Sequence, residues 1–232
     1  MTSATSVQTP SLPPGVSIQD HIDFAVTELL ASFPDTEQLS GDQRRGIIAR
    51  YSSVLEGNFI YWMTGAYLAV RSEDARAIIL DNLLEEVRDC HPGMLRRFAI
   101  AAQGVPTDSD ALAVYEDLSR VRLFIGRLSG VRIVLMMAFF EGFIQRFMAY
   151  LAKLAQLQGS AEMEYTDVHG VCDVAHTQGL FRALAAEMEL DPVAPTTNLY
   201  EGVDLLRTLL EAIVHPAGKK VQTSAASASR VA

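Results

Sequence analysis

His169-Gly-Val-Cys-Asp173-Val-Ala-His176 carries two imidazoles and one carboxylate at offsets of four and seven residues. These offsets return to the same side of an α-helix, so the spacing predicts that the three side chains point in one direction. A mixed nitrogen and oxygen set without a thiolate suits iron or manganese better than a structural zinc. The stretch therefore predicts a helical metal site used for oxygen chemistry. The alternative is a helix on which these side chains are capped, solvated or hydrogen-bonded.

Helical periodicity extends over nearly all of residues 17–216, and no convincing alternating strand pattern is present. Residues 1–16 and 217–232 are rich in Ser, Thr, Ala, Pro and Gly, which predicts disordered tails. The fold class is therefore predicted to be all-α: a single-domain bundle of seven to eight helices over residues 17–216. Cap and turn residues predict helices that begin near Ser17, Ser40, Glu73, His91, Asp108, Gly130, Asp167 and Asn198.

Composition excludes several classes of protein. A net charge of −9 argues against nucleic-acid binding, because no basic surface offsets the phosphate repulsion. Cys90 and Cys172 are too few for a disulfide framework, which favours a reducing compartment. No signal-peptide pattern is present, and the apolar stretch Val131–Phe140 is about half a membrane span. We therefore expect a soluble cytoplasmic protein without a membrane partner.

Further metal ligands must come from other helices, because the triplet cannot complete the coordination of even one iron. Glu141 lies in Met-Met-Ala-Phe-Phe-Glu141-Gly-Phe-Ile, where every close neighbour is apolar, so it either binds a cation or pairs with an arginine. Glu85 or Glu86 could be a surface charge and His91 a helix cap, but they lie together where one predicted helix ends and the next begins.

Six residues then form the predicted ligand set: His91, Glu141, His169, Asp173, His176 and one of the pair Glu85 and Glu86. Their three carboxylates and three imidazoles suit two irons, with room for dioxygen and a substrate. The carboxylates would offset most of the charge of two Fe(II) ions, which lowers the cost of burying them. Glu56 is a further suspect carboxylate, in Val54-Leu55-Glu56-Gly-Asn-Phe-Ile-Tyr-Trp; alternatively it is a buried acid bonded to Tyr, Trp or Arg.

The His-x3-Asp-x2-His pattern of His169, Asp173 and His176 resembles the heme-oxygenase-like diiron oxidases and oxygenases. This family shares the helical fold of heme oxygenase, thiaminase II and the pyrroloquinoline quinone synthase. The resemblance spans roughly residues 40–190, and Glu141 matches the family's Glu in a long apolar helix. It implies a cofactor of two Fe ions, cycling between Fe2+ and Fe3+, with O2 as co-substrate.

A second motif is similar to the family's Asn-Leu-x-x-Glu segment, which is followed by a turn and a His. It is matched by Asp81-Asn-Leu-Leu-Glu85-Glu86 and then His91. The spacing of five between Glu86 and His91 is poor for one continuous helix, and in some relatives it is seven. When the segment is anchored on Asp81-Asn-Leu, the resemblance favours Glu86 as the ligand. Either the helix unwinds before His91, or Glu85 takes this role.

The resemblance leaves the reaction open. N-oxygenating members have an additional carboxylate on an early helix, for which Glu56 is the match, so the resemblance favours Glu56 as a catalytic residue. The favoured function is oxidation of the nitrogen of a small amine in secondary metabolism. The alternatives are C–C or C–H cleavage of an amino or fatty acid, and a metal-free helical binding protein. We also expect an external electron donor and a homodimer.

Several side chains outside the ligand set are candidates for contact with a substrate. Tyr61, Trp62 and Tyr67 could line a substrate pocket, although as aromatic residues of a long apolar helix they also suit the core. For a carboxylate-bearing substrate, Arg132 or Arg146 could bind the carboxylate.

Overall fold

A computed structural model describes residues 17–194 and 196–216, and in this part of the chain every regular element is an α-helix. The predicted all-α bundle is therefore confirmed. The two predicted tails, residues 1–16 and 217–232, lie outside the described residues. The helices are α1 (Ile18–Ala31), α2 (Gly41–Ala69), α3 (Glu73–Arg88), α4 (His91–Ala101), α5 (Asp108–Ile125), α6 (Gly130–Leu157), α7 (Glu164–Leu190) and α8 (Glu201–Val214).

Most helices begin at the cap residues that the sequence predicts. Ser17 accepts a hydrogen bond from the backbone N–H of Asp20, whose carboxylate accepts one from the backbone N–H of Ser17. Helix α8 begins three residues after the predicted start at Asn198. The prediction that Asp167 caps α7 was wrong, because this helix begins at Glu164. Both acids lie in the first turn of α7, where negative charge is favourable without a capping bond.

Helix α6 forms the centre of the bundle and packs against α1, α2, α7 and α8. Its Phe140 makes an edge contact with Trp62 of α2, with 5.2 Å between ring centroids, and both are fully buried. By length and composition α6 could cross a membrane, but most of its apolar stretch is buried inside the fold. This is the pattern of the core helix of a soluble protein.

A left-handed residue separates α3 from α4. Cys90 has φ 59° and ψ 42°, a conformation that is uncommon for residues other than glycine. Helix α3 ends before this residue, and α4 begins directly after it at His91. The unwinding that the short Glu86-to-His91 spacing requires is therefore present.

Glu187 connects the C-terminal part of α7 to the turn between α2 and α3. Its buried carboxylate accepts hydrogen bonds from the backbone N–H groups of Arg71 and Ser72, each at 2.9 Å. The N–H groups at the start of a helix have no partner within the helix, and a carboxylate satisfies them well. This contact sets the position of α7 along its own axis relative to α3.

Candidate metal centre

One group of possible ligands combines Glu86, His91 and His169 from α3, α4 and α7. One ligand atom from each lies within 4.8 Å of those of the others, and all three side chains are buried. Nδ1 of His91 lies 2.7 Å from Oε1 of Glu86, and the two imidazole rings meet edge to face at 4.6 Å. The turn at Cys90 makes this contact possible, because it interrupts the helix between the carboxylate and the imidazole.

A second group combines Glu141 of α6 with Asp173 and His176 of α7, again with ligand atoms within 4.8 Å of one another. Nδ1 of His176 lies 3.6 Å from Oδ1 of Asp173 and 3.9 Å from Oε2 of Glu141, beyond hydrogen-bond distance. Nδ1 of His169 lies 3.2 Å from Oδ1 of Asp173 and joins the two groups. The structure therefore brings all six predicted ligand residues together.

Buried atoms without a partner show that this cluster suits a cation. Among the described residues, Nε2 of His169, Oδ2 of Asp173 and Nδ1 of His176 are buried and accept or donate no hydrogen bond. Each such atom costs about 1–3 kcal/mol of stability unless something satisfies it. Nitrogen and carboxylate-oxygen donors converging from several helices are suitable ligands for iron.

Like charges in close contact perturb the acids of the second group. Burial, and then the negative charge of Asp173, raises the pKa of Glu141 well above its usual range. Burial also acts to raise the pKa of Asp173, but His169 and His176 outweigh it and lower that pKa. For His176, burial opposes the charged form, yet the neighbouring carboxylates raise its pKa to about 9. The carboxylates of this cluster therefore stabilise positive charge beside them.

Two side chains of α3 complete the surroundings of the second group. Asn82 donates a hydrogen bond from Nδ2 to Oε1 of Glu141 at 2.8 Å, and Glu85 places Oε2 3.3 Å from Nε2 of His176. The neighbouring Glu86 is buried in the first group, whereas about a third of the Glu85 side chain is exposed. The two adjacent glutamates therefore face different groups. The sequence predictions missed Asn82, although its Asn-Leu motif was a usable signal.

A pair of buried tyrosines borders the first group. The hydroxyls of Tyr51 and Tyr165 lie 2.8 Å apart, and the ring of Tyr165 lies 4.5 Å from that of His169. Burial raises the pKa of both phenols, so both stay neutral. Neither tyrosine is among the site residues that the sequence predicts. Tyr165 lies four residues before His169, a spacing that does predict contact on a helix.

Two cavities adjoin the cluster. The first, of about 20 Å³, lies above Glu86, His91 and His169 and is otherwise apolar. The second, of about 170 Å³, lies between α3 and α7 and reaches His176. The α2 residues that line the first cavity are Leu55, Phe59 and Ile60.

The predicted pocket aromatics lie elsewhere. Trp62 is a core residue packed on Phe140, and Tyr61 is exposed. Tyr67 packs beneath the guanidinium of Arg76, 5.9 Å from the ring centroid. Trp62 and Tyr67 therefore fit the alternative assignment as residues of the core better than the assignment to a substrate pocket.

Glu56 lies next to the α2 residues that line the first cavity, but its carboxylate faces α4. It accepts a hydrogen bond from Nε of Arg96 at 2.9 Å, and its side chain is about one-third exposed. This matches the arginine partner of the alternative assignment, although the acid is only partly buried. A catalytic role for Glu56 stays a prediction, because its carboxylate lies outside both ligand groups.

The two arginines predicted to bind a substrate carboxylate are paired on other faces of the bundle. Arg132 donates a hydrogen bond to Glu201 of α8, and its guanidinium also lies over the ring of Phe124. Arg146 donates to Asp23 of α1 at 2.6 Å. Neither lines a cavity at the cluster.

A buried histidine–carboxylate cluster inside a bundle of helices is typical of helical proteins that bind iron or manganese. Comparison with known protein families matches residues 48–205 to the iron-containing redox enzymes. The chain belongs to this family, and all six predicted ligands fall inside the matched region. The match supports the resemblance to heme-oxygenase-like proteins at the superfamily level. Comparisons with curated proteins and with solved structures find no match.

Proposed function

We propose that this protein is a non-heme diiron oxygenase that uses dioxygen to oxidise the nitrogen of a small amine in secondary metabolism. The observation that carries the proposal is the pair of linked ligand groups. One iron would be held by Glu86, His91 and His169, and the other by Glu141, Asp173 and His176. Bound Fe(II) would supply the electrons that reduce dioxygen.

The electrostatics of the cluster support two metal ions better than none. Glu86, Glu141 and Asp173 are at most 3% exposed, and burying several carboxylates together is costly without compensating positive charge. In the metal-free protein burial favours the protonated, neutral form of Glu141, and neighbouring carboxylates favour protonation of His91 and His176. Metal binding would replace those protons and would also satisfy the unpartnered atoms of His169, Asp173 and His176.

The two cavities support separate roles for the two sides of the cluster. The apolar cavity has room for about one water-sized molecule, which suits dioxygen and keeps bulk water away from Glu86, His91 and His169. The cavity between α3 and α7 is bordered by the acids Asp81 and Glu85, which attract a cationic amine. The amine would therefore approach the cluster from the side of His176.

The proposal includes a cytoplasmic location, an external electron donor and a homodimer. Its test begins with anaerobic Fe(II) titration, which should give about two irons per chain, as expected for two ligand groups. Dioxygen consumption is then measured with amines, amino acids and fatty acids, and the product from labelled dioxygen is identified by mass spectrometry. Oxygen bound to nitrogen is the expected result. A terminal alkene would establish the C–C cleavage alternative, and absence of iron uptake would establish the metal-free alternative.

A further inference from the structure

We propose that the cavity between α3 and α7 binds a small molecule carrying an amine at one end and a carboxylate at the other. Arg182 binds the carboxylate, and the amine lies toward Glu85 and His176. This inference rests on the proposed function, since it names the class of substrate that reaches the same cluster.

The cavity has one wall from each helix. Ile78, Asp81, Asn82 and Glu85 share one face of α3, and Ala175, His176, Gly179 and Arg182 share the facing side of α7. Glu85 contacts His176, while Ile78 lies opposite Gly179, so the two helices run antiparallel here. The cavity therefore has a cluster end, at Glu85 and His176, and a far end, at Arg182.

Arg182 has the position and freedom to bind an anion. Its guanidinium forms no hydrogen bond or ion pair with the described residues, unlike Arg132 and Arg146, which pair with Glu201 and Asp23. Its Nη2 lies 3.7 Å from where a Cβ on Gly179 would lie, so the side chain folds back along α7 over the cavity. An arginine fork in this position matches the two oxygens of a carboxylate.

Glycine at position 179 keeps this space open. A Cβ there would lie only 3.2 Å from Cγ2 of Ile78, so any side chain would fill the gap between α3 and α7. Because Gly179 has no side chain, the two helices approach closely and the part of the cavity beside Arg182 stays open.

Charge is separated along the cavity. Asp81 and Glu85 contribute negative charge on α3, and Arg182 contributes positive charge at the far end of α7. His176 and Arg182 are six residues apart, which is about 9 Å along a helix axis. A carboxylate at Arg182 thus leaves the amine several bonds away, beside Glu85 and facing the cluster. This orientation presents nitrogen to the ligands that would hold iron.

The test uses three linear probes of equal carbon number: ε-aminocaproate with both charged ends, hexanoate with the carboxylate alone, and hexylamine with the amine alone. Binding is measured by isothermal titration calorimetry on iron-reconstituted protein kept anaerobic, so that no turnover occurs. ε-Aminocaproate should bind most tightly, and loss of either charged end should weaken binding on the order of tenfold.

Arg182→Gln should weaken ε-aminocaproate and hexanoate on the order of tenfold and leave hexylamine unchanged. Arg182→Lys should restore part of the loss, because it keeps the charge without the planar fork. Arg120→Gln is the matched control, since Arg120 is an exposed arginine of α5 paired with Asp117, and it should change none of the three affinities.

Unchanged ε-aminocaproate affinity in Arg182→Gln overturns the inference, as does an equal loss for all three probes. The outcome is separable from that of the proposed function. If the three probes bind as expected but the protein consumes no dioxygen, the proposed oxygenase activity is overturned and the proposed binding site stands. Amine-dependent dioxygen consumption that is unchanged in Arg182→Gln would support the oxygenase and overturn the binding site at Arg182.

Discussion

Asn82 of α3 donates a hydrogen bond from Nδ2 to Oε1 of Glu141 on α6, with 2.8 Å between the two atoms. Both side chains are at most 5% exposed. This amide is the neutral donor that holds the carboxylate while its other oxygen, Oε2, faces His176. Through this contact α3 sets the orientation of a candidate ligand on the central helix.

Replacing Asn82 with leucine, which has a similar volume, should therefore weaken iron binding at the second group by about 10–100-fold. Glu141 would lose its donor, and stability should fall by about 1–3 kcal/mol. Anaerobic iron titration and urea unfolding measure the two effects. Asn58→Leu is the control: Asn58 is also buried, but it bonds Val54 and Arg122, so it should lose stability without losing iron.

Replacing His176 with alanine should remove the nitrogen ligand of the second group and leave the first intact. We expect about one iron per chain in place of about two, and no turnover. Metal analysis of anaerobically loaded protein gives the stoichiometry. His21→Ala serves as control, because His21 is a buried histidine of α1 that contacts Tyr200. Full activity of His176→Ala would place the reaction elsewhere in the molecule.

The role of Glu56 is tested by Glu56→Gln. Because its ion pair with Arg96 is partly exposed, stability should change by less than about 1 kcal/mol. A catalytic role predicts that the rate of nitrogen oxidation falls more than the affinity for iron. Glu164→Gln is a close match, since Glu164 pairs in the same way with Arg97, the next residue of α4. Equal activity of both variants would make Glu56 a structural acid and favour C–C cleavage.

The hydrogen bond between Tyr51 and Tyr165 predicts a non-additive pair of substitutions. Either single change to phenylalanine leaves one buried hydroxyl without its partner, which costs about 1–3 kcal/mol. The double variant removes both hydroxyls and should be less destabilised than the sum of the two. Thermal or urea unfolding of all four proteins measures the coupling, and simple additivity would show that the bond contributes nothing.

The parts of this structure that the sequence predicts correctly depend on neighbours along the chain. The capping box at Ser17 and the spacing of His169, Asp173 and His176 are local patterns with a fixed helical geometry. Glu141 is conspicuous because apolar residues surround it in sequence as well as in space. The wrong helix start at Asp167 arose because an aspartate that favours the first turn resembles a cap.

The parts that were missed depend on how distant helices meet. Tyr51 and Tyr165 are 114 residues apart, and no local pattern links their hydroxyls. The ion pairs of Arg132 and Arg146 likewise depend on α8 and α1. An isolated arginine in sequence does not reveal whether an acid already neutralises it, which is why the sequence alone makes Arg132 and Arg146 candidates for binding a carboxylate.

The left-handed turn at Cys90 has a consequence for recognising relatives of this chain. Glu86 and His91 meet because the backbone changes direction between them, and their contact does not depend on a helical register. A chain that joins two helices in this way brings two ligands into contact without the spacing of three or four residues that a single continuous helix requires. A search for metal ligands at helical spacings alone would therefore overlook this pair.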